Sequence, residues 1–390
     1  MQATSSSSAF TPLDWAVLAA YLLLLVGIGA LASRRKAGAG DFFLGGRRMP
    51  VWAVAASVLA TATTAATFIG GPAEAYGGNL TYLSTNIGTV LGVVVVALVF
   101  IPAFYRANAT TVYDLLEKRL GYTGKAAASW AFMVGRVFAS GSRLFIAALP
   151  ASMILFDDAE RWHMVAAIGV IVVLGVLTAM GGGIRSVIWT DVLQVSVMIL
   201  AAGAALFVLA RAIPLGPGEI YTALAEAPGN KLAVIKPGID VRESALGIDF
   251  GAPFTLLTAV TGFALLSIAA YGTDHDLTQR MLTCRSALKG GSSALLAMVI
   301  NLPVIAAFML IGLLLYIFYQ RPDLMGAAAP GIPAPEGPRA FLRFILDEMP
   351  PGLTGLMMAG LFAVGVGSLN SVLAAMSAAF VNDVYRPRRP

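Results

Sequence analysis

Charged side chains are scarce in this sequence. Asp, Glu, Lys and Arg together make up 12% of the 390 residues, against about 25% in a typical soluble domain. Hydrophobic residues form 58% of the chain and gather in runs near the roughly 20 residues that cross a bilayer as a helix. The sequence therefore predicts an all-α polytopic membrane protein. The net charge of +5 comes from short loops, which makes it a topology signal and not a sign of nucleic-acid binding.

Cysteine, histidine and catalytic motifs are nearly absent. The single cysteine, Cys284, excludes an internal disulfide, and His163 and His275 are expected to form no metal cluster. Neither a P-loop nor an HExxH motif occurs, so an enzyme is the weakest interpretation. Residues 1–12 lack a basic n-region and a cleavage site, and we interpret them as a polar N-terminal tail, not a signal peptide.

Nine apolar runs predict nine transmembrane helices. With the N-terminus outside, the inside loops carry about twice as many Lys and Arg residues as the outside segments, which favours an N-out, C-in orientation. The predicted helices span residues 13–32, 50–75, 81–105, 124–154, 162–181, 184–211, 252–278, 287–319 and 353–381.

Two of the predicted helices look interrupted. The second contains Gly70–Pro72, and the seventh has Gly272 followed by the polar triplet 274–276. Gly and Pro break helices, and irregular backbone at membrane depth survives only where it lines a cavity or is buried in protein. Breaks in corresponding helices of two inverted halves indicate a transporter binding site. For each helix alone, tight packing of small residues is the alternative explanation.

Five motifs resemble those of the sodium:solute symporter family, which includes the sodium/glucose, sodium/proline and sodium/sialic acid cotransporters. They occur in family order and span nearly the whole chain. They are "DFFLGGRRMP" (41–50), "TVYDLLEKRLG" (111–121), "MGGGIRSVIWTDVLQ" (180–194), "GTDHDLTQRML" (272–282) and "GSLNSVLAAMSAAFVNDVY" (367–385). The resemblance implies a five-plus-five inverted-repeat (LeuT-like) core with one extra N-terminal helix.

The resemblance also implies a domain organisation and a function. Residues 1–390 would form one transmembrane transporter domain, with the extra helix at 13–32 and the first inverted repeat at 50–211. The second repeat, 252–390, would be incomplete, because family members continue with at least two more core helices. The protein would be a multi-pass protein of the plasma or inner membrane. It would carry a small organic solute (sugar, amino acid or carboxylate) with Na⁺, or alternatively H⁺, as coupling ion. Nucleic acid is not an expected partner, and the oligomeric state is left open.

By the same resemblance, a main sodium site would join the second and ninth predicted helices. Backbone carbonyls and hydroxyls would supply the oxygen ligands that Na⁺ needs. The family usually has serine where this chain has Gly367, so one hydroxyl ligand is lost. The matching positions are Ala60, Thr63, Val364, Gly367 and Ser368.

The resemblance further implies a second cation or proton site around Asp191. Its partners would be Asn370 and Ser371, three and four residues after Gly367 and therefore on the same helix face. In a proton-coupled variant Asp191 would carry the proton. Alternatively, this carboxylate pairs with Arg185 or another loop cation.

The candidate substrate positions, also carried over from the family, bear short polar side chains, which argues against a sugar site. Capping of neighbouring backbone is the alternative role for each. The positions are Thr67, Asn86, Thr89, Asp274 and Asn301.

Arg136 and Arg143 lie two turns apart on one side of the fourth predicted helix. Intramembrane arginines are functional candidates. They would suit an anionic substrate, but pairing with Glu74, Glu117 or Asp191 is favoured. The triplet 274–276 is interpreted either as a gate cluster or as a solvated helix end beside Arg280.

Three functions remain open at this point. The first is a sodium-coupled secondary active symporter that works by alternating access. The second is a non-transporting or proton-coupled relative, and the third is the membrane sensor part of a signalling protein. The departure at Gly367 would fit a loss of transport.

Overall fold

The computed structural model describes residues 10–33, 39–156, 158, 160–179, 183–242, 245–248 and 252–388. Within these ranges the chain is built from helices, with one two-stranded antiparallel hairpin between α10 and α11. The α-helices and strands are α1 (Pro12–Ser33), α2 (Ala39–Leu44), α3 (Val51–Ala62), α4 (Ala65–Gly77), α5 (Thr85–Val95), α6 (Ile101–Arg106), α7 (Asp114–Phe156), α8 (Arg161–Ala179), α9 (Gly183–Ala212), α10 (Pro217–Ala225), β1 (Ile239–Arg242), β2 (Ala245–Ile248), α11 (Leu256–Thr258), α12 (Ala264–Gly272), α13 (His275–Leu282), α14 (Ala287–Gln320), α15 (Pro322–Met325), α16 (Gly337–Asp347) and α17 (Leu353–Ala379).

Short segments of other helix types join or extend several of these elements. The 3₁₀ segments are Gly45–Arg47, Thr81–Ser84, Gly326–Ala328 and Arg386–Arg388, and the π-helical segments are Val96–Phe100, Ala259–Phe263 and Phe380–Tyr385.

Membrane-spanning helices dominate the part of the chain that the structure describes. Seven helices there are long and apolar enough to cross a bilayer, and two sharply bent helix pairs bring the total to nine. These nine agree with the nine apolar runs in the sequence. The largest boundary difference is at α7, which begins at Asp114 and not at residue 124, and Gly121 with its φ of 70° kinks it.

The first bent pair is α3 and α4, which meet at 62°. The sequence predicted the break at Gly70–Pro72, and that location is wrong. Helix α3 ends at Ala62, because Thr63 and Thr64 both have extended backbone. The amide of Thr64 then donates to Thr67 Oγ1 at 3.4 Å, at the start of α4.

The Gly70–Pro72 segment lies inside α4 and serves helix packing. A Cβ at Gly312 of α14 would collide with the carbonyl oxygen of Pro72, and a Cβ at Gly71 would touch Phe308. The two backbones therefore approach closely, as small residues permit. This is the alternative role expected for small residues in a membrane helix.

The second bent pair is α11–α12 against α13, at 60°. Helix α12 ends at Gly272, and Asp274 caps α13 by accepting a hydrogen bond from the amide of Asp276 at 3.0 Å. This break lies where the sequence predicted it. The side-chain cap satisfies one of the amides that a new helix start leaves unpaired.

The long helix α17 lies at the centre of the bundle. It contacts α1, α7, α8 and α9, while α14 packs on both α3 and α4. Asp14 of α1 ties the first helix to α17, because its Oδ1 accepts hydrogen bonds from the amides of Gly352 and Gly355 at 2.7 Å each. The packing places both bends around one central region.

Candidate functional site

Three neighbouring cavities follow the two bends. The first, of about 320 Å³, lies along α4 from Thr67 to Glu74. The second, of about 120 Å³, shares Thr67 and Tyr82 with the first. The third, of about 240 Å³, shares Thr89 and Tyr271 with the second and reaches the start of α13. Together they form a discontinuous route past both helix breaks.

The second cavity brings together four of the five predicted substrate positions. Thr67, Asn86, Thr89 and Asn301 all line it. The Asn301 amide donates to Asn86 Oδ1 at 3.2 Å, which links α14 to α5 across the cavity. The fifth position, Asp274, lies in the third cavity, where Thr89 is a common wall residue.

Two of these side chains also bond to their own helix. Asn86 Nδ2 donates to the carbonyl of Leu83 at 3.1 Å, and Thr89 Oγ1 donates to that of Thr85 at 3.1 Å. Backbone capping, the alternative role for these residues, is thus realised together with cavity lining. A threonine Oγ1 that donates to its own helix keeps its lone pairs for another donor.

Arg136 and Arg143 both line the third cavity but have different partners. Arg136 forms an ion pair with Asp274 and lies 3.5 Å from Asp276 Oδ2. Pairing of both arginines with Glu74, Glu117 or Asp191 was expected; Arg136 does pair, but with different carboxylates, and for Arg143 the expectation is wrong. Arg143 has no carboxylate within ion-pair distance in the described ranges, and its Nη1 donates to Ser368 Oγ at 3.3 Å.

The start of α13 is buried. His275 and Asp276 are 0% exposed, so the interpretation of this triplet as a solvated helix end is wrong. The segment packs between α3, α14 and α17, and the Asp276 and Arg136 side chains meet at the cavity wall. The gate interpretation stays a hypothesis.

Of the predicted sodium-site residues, Ala60 lies on α3 and Thr63 directly after it, and the other three lie on α17, which contacts α3. Thr63, Val364, Gly367 and Ser368 are buried, and Ala60 is half-buried. Thr63 Oγ1 is buried and has no hydrogen-bond partner among the described residues. A buried hydroxyl without a partner in the protein is a chemically suitable ligand for a cation.

Gly367 has a specific structural role. A Cβ at this position would lie 2.8 Å from Cδ and 3.0 Å from Nε2 of Gln194, and would collide with its Oε1. The Gln194 side chain, 3% exposed on α9, thus occupies the space that a serine side chain would need. A serine at this position would therefore require the end of the Gln194 side chain to move.

Asp191 is fully buried on α9, but its partner is neither Arg185 nor a loop residue. Arg280, which was grouped with the loop cations, is 0% exposed in α13. Its Nη2 lies 3.3 Å from Asp191 Oδ2 and donates to Ser371 Oγ at 2.5 Å. Ser57 Oγ donates to the same Asp191 oxygen.

The structure directs Asn370 away from this group. Its Oδ1 accepts a hydrogen bond from Thr178 Oγ1 of α8 at 3.0 Å. Of the two predicted α17 partners of Asp191, only Ser371 therefore joins the cluster, through Arg280.

Sequence reasoning missed Arg280, Ser57 and Gln194. For Arg280 the available signal was Asp276 four residues earlier, a spacing that favours ion pairs on a helix; the two side chains are 2.9 Å apart. Nothing in the local sequence indicates that Ser57 contacts Asp191 or that Gln194 contacts Gly367, because both partners are more than 130 positions away.

A separate group lies between α7 and α8. Ligand atoms of Asp158, Glu160 and His163 come within 4.8 Å of one another, and Asp158 Oδ1 is 2.6 Å from His163 Nδ1. The Glu160 amide, followed by His163, lowers the pKa of Asp158. The expectation that the histidines form no metal cluster overlooked this exposed grouping.

Comparison with known proteins shows which family this chain resembles in sequence and fold. The model of the sodium:solute symporter family (SSF) matches residues 42–390. The human sodium/iodide cotransporter is 29% identical over 392 residues, which cover 99% of this chain and 57% of that protein. The sodium/sialic acid symporter SiaT of Proteus mirabilis (strain HI4320) is 30% identical over 383 residues, covering 96% and 71%.

A solved structure gives the same result for the fold. It is the substrate-bound outward-open state of a Na⁺-coupled sialic acid symporter with a novel Na⁺-site. It aligns with a TM-score of 0.79 at 28% identity, covering 96% of this chain and 74% of the other. The chain spans 57% of the length of the iodide cotransporter.

Proposed function

Because the chain belongs to the sodium:solute symporter family, whose members are transporters and not enzymes, we propose that it is a sodium-coupled symporter of a small organic anion. The observation that carries the substrate class is the Arg143 guanidinium. It lines the third cavity, has no carboxylate partner among the described residues, and touches Ser368 of the predicted sodium site.

Electrostatics supports an anion. Arg143 is half-buried and forms no direct ion pair in the described ranges, and a carboxylate can accept two parallel hydrogen bonds from a guanidinium. Arg136 already has Asp274 and Asp276, so only Arg143 is available to a solute. The relatives named above carry sialic acid and iodide, which are both anions.

Charge neutrality supports coupling to a cation. Around the third cavity and Asp191, three arginines (136, 143 and 280) face three aspartates (191, 274 and 276), so their formal charges cancel. Na⁺ and a univalent anion added together keep this balance, and either one alone disturbs it. Each ligand therefore favours binding of the other, and the effect is reciprocal in free energy.

The proposed sodium ligands are the carbonyls and hydroxyls of Ala60, Thr63, Val364, Gly367 and Ser368. The unpartnered Thr63 Oγ1 supports this assignment. The anion would lie between Arg143 and the second cavity, whose small volume limits the solute to a few heavy atoms beyond its carboxylate.

Alternating access completes the proposal. The chain would lie N-out in the cell membrane, with α3–α9 as the first inverted repeat and α11–α17 as the corresponding part of the second. The first cavity would then face outside and the third cavity inside. The two bends, at Thr63–Thr64 and at Thr273, would be the hinges that open each cavity in turn.

Uptake into proteoliposomes tests the proposal. The full chain is reconstituted and offered radiolabelled short monocarboxylates, sialic acid, iodide, a neutral sugar and a neutral amino acid, with sodium or choline outside. We expect sodium-stimulated uptake of an anion. Arg143→Gln should raise its KM roughly tenfold to hundredfold, because a charge-assisted hydrogen bond contributes about 1.5–3 kcal/mol.

Arg185→Gln, at an exposed arginine of α9, is the matched control and should leave KM unchanged. Uptake of only neutral solutes, or an Arg143→Gln variant with normal anion KM, contradicts the substrate class. Anion uptake that is equal in choline and driven by a pH gradient would establish the proton-coupled alternative. Absence of any uptake by well-folded protein would favour the sensor.

A further inference from the structure

We propose that a groove between α1 and α9 binds one acidic phospholipid, with the lipid phosphate against Arg185 and one acyl chain along α9. The groove has a volume of about 530 Å³, within the roughly 300–1,000 Å³ of small-molecule sites. It shares no lining residue with the three cavities of the candidate functional site. The proposal therefore adds a separate site and does not depend on which solute is transported.

One straight stripe of α9 forms the floor of the groove. Its lining residues are Arg185, Trp189, Val192 and Ser196. They follow one another at intervals of four, three and four positions, so they lie on one helix face. From the first to the last of them the helix rises about 16 Å, at about 1.5 Å per residue. One leaflet of a bilayer has a hydrocarbon depth of about 15 Å, half of the roughly 30 Å core. The stripe therefore has the length of one leaflet.

The walls of the groove are apolar. They are formed by Ile28 and Leu31 of α1 and by Val192 and Leu193 of α9. Leu31 is the last residue of the first candidate membrane span, so the groove opens at the end of that span. At the far end, the Ser196 hydroxyl donates to the Val192 carbonyl of its own helix at 2.8 Å. No carboxylate of the described residues lines the groove, which suits a hydrocarbon chain as occupant.

Positive charge lies at the end of the groove where a lipid headgroup would be. Arg185 is exposed in the first turn of α9 and has no ion-pair partner among the described residues. The N-terminus of this 30-residue helix adds a partial positive charge, and three basic residues, 34–36, directly follow α1 in the sequence. The charge bias predicts that this end lies inside, where the leaflet contains anionic lipids. An acidic headgroup therefore fits this end better than a zwitterionic one.

Two tryptophans mark the level of the membrane surface. Trp189 lines the groove one turn after Arg185, and its ring meets that of Trp52 edge-on, with the centroids 5.6 Å apart. Trp52, at the start of α3, is 53% exposed. Tryptophan is enriched at the boundary between hydrocarbon and headgroups. The pair therefore places Arg185 at headgroup depth, independently of the charge, and the rest of the stripe among the acyl chains.

Native mass spectrometry of the delipidated full chain measures the binding directly. The protein in detergent is titrated with phosphatidylglycerol, which is acidic, or with phosphatidylcholine of the same acyl chains, which is zwitterionic. We expect one phosphatidylglycerol to bind saturably and about fivefold more tightly than phosphatidylcholine, since one basic residue near an anionic lipid contributes about this much. sn-Glycerol 3-phosphate, which has a phosphate and no acyl chain, should not compete.

Substitutions at the two ends of the groove separate the headgroup from the chain. Arg185→Gln should abolish the preference, so that both lipids bind alike, and Arg185→Lys should keep it. Ser196→Phe fills the far end of the groove and should weaken the binding of both lipids. Arg211→Gln is the matched control, because Arg211 is exposed at the opposite end of the same helix; this variant should leave both affinities unchanged.

Four results would overturn the proposal. Equal affinities for the two lipids in wild type, or a preference that survives Arg185→Gln, would show that Arg185 does not select the headgroup. Competition by sn-glycerol 3-phosphate would show an anion site that needs no acyl chain. Binding of many phosphatidylglycerol molecules without saturation would show only the annular lipid of any membrane protein. A dimer that is lost in Ser196→Phe, with no lipid bound in wild type, would show that a second copy of the chain covers the groove.

Discussion

Replacing Gly367 by serine, the residue usual in the family, should destabilise this protein. The substitution places a Cβ 2.8 Å from Gln194 Cδ, where carbon atoms prefer about 3.5–4.0 Å. Gln194 must therefore retreat by about 1 Å, and its side chain is only 3% exposed where α9 packs on α17. Insertion of extra atoms into a packed core typically costs about 1–3 kcal/mol.

The opposing contribution is small. Serine is favoured over glycine inside a helix by about 0.5 kcal/mol, so the net destabilisation of Gly367→Ser should be about 1–2 kcal/mol. In a Gln194→Ala background the collision disappears, and the same substitution should become neutral or slightly stabilising. The expected coupling energy between the two positions is therefore about 1–3 kcal/mol, as for side chains in direct contact.

Thermal unfolding of the four proteins in one detergent completes this double-mutant cycle. The Gly367→Ser single variant should melt roughly 2–4 °C below wild type. With Gln194→Ala present, the new hydroxyl faces the predicted sodium site, so added NaCl should raise the melting temperature more than in wild type. Gly367→Ala, which adds the Cβ but no hydroxyl, is the control for the sodium effect.

The reasoning is refuted if Gly367→Ser alone is as stable as wild type and its effect is unchanged by Gln194→Ala. That result would mean that Gln194 moves without cost, and the missing serine would then have no steric explanation.

Two other features give predictions. Asp14→Ala should destabilise the protein by about 2–4 kcal/mol, because it leaves the amides of Gly352 and Gly355 without an acceptor. Chemical unfolding measures this loss, with Asp323→Ala as the exposed control. A loss of stability under about 0.5 kcal/mol contradicts the prediction. Burial against Tyr76 and Tyr316 lowers the pKa of Lys231 from its ordinary 10.5. Between the lowered pKa and 10.5, the unfolded state therefore binds more protons than the folded state. As pH rises through this alkaline window, wild type should gain stability relative to Lys231→Met. If the melting temperatures of the two proteins change in parallel with pH, Lys231 does not cause the pH dependence of stability.

The spans and the second bend could be predicted from sequence because their signals are local. Apolar runs of bilayer length need no partner to be recognised, and a glycine followed by Asp274 marks a helix end and a new cap. The first bend was misplaced because small residues serve both breaks and close packing. Only the contact of Gly312 with Pro72 distinguishes the two roles, and it joins residues 240 positions apart in the sequence.

The candidate site was predictable only in part, because its deciding contacts also join residues far apart in the sequence. Asn86 and Asn301 were carried over from the family resemblance, and the structure brings them together. The burial of Arg280 could not be inferred, because its compensating oxygens are on Asp191 and Ser371, 89 and 91 residues away. The topology count placed Arg280 in an inside loop, and that placement fails because distant carboxylates make its burial favourable.

Helix α9 carries a residue at each of the two predicted cation sites. Asp191 and Gln194 are three residues apart and therefore share one helix face. Gln194 excludes a serine hydroxyl at position 367, and Asp191 holds the guanidinium of Arg280. The first contact withholds a hydroxyl from the predicted main sodium site, so Gly367→Ser/Gln194→Ala should increase sodium affinity. If Asp191→Asn also changes that affinity, the two positions are not independent, and α9 transmits binding from one to the other.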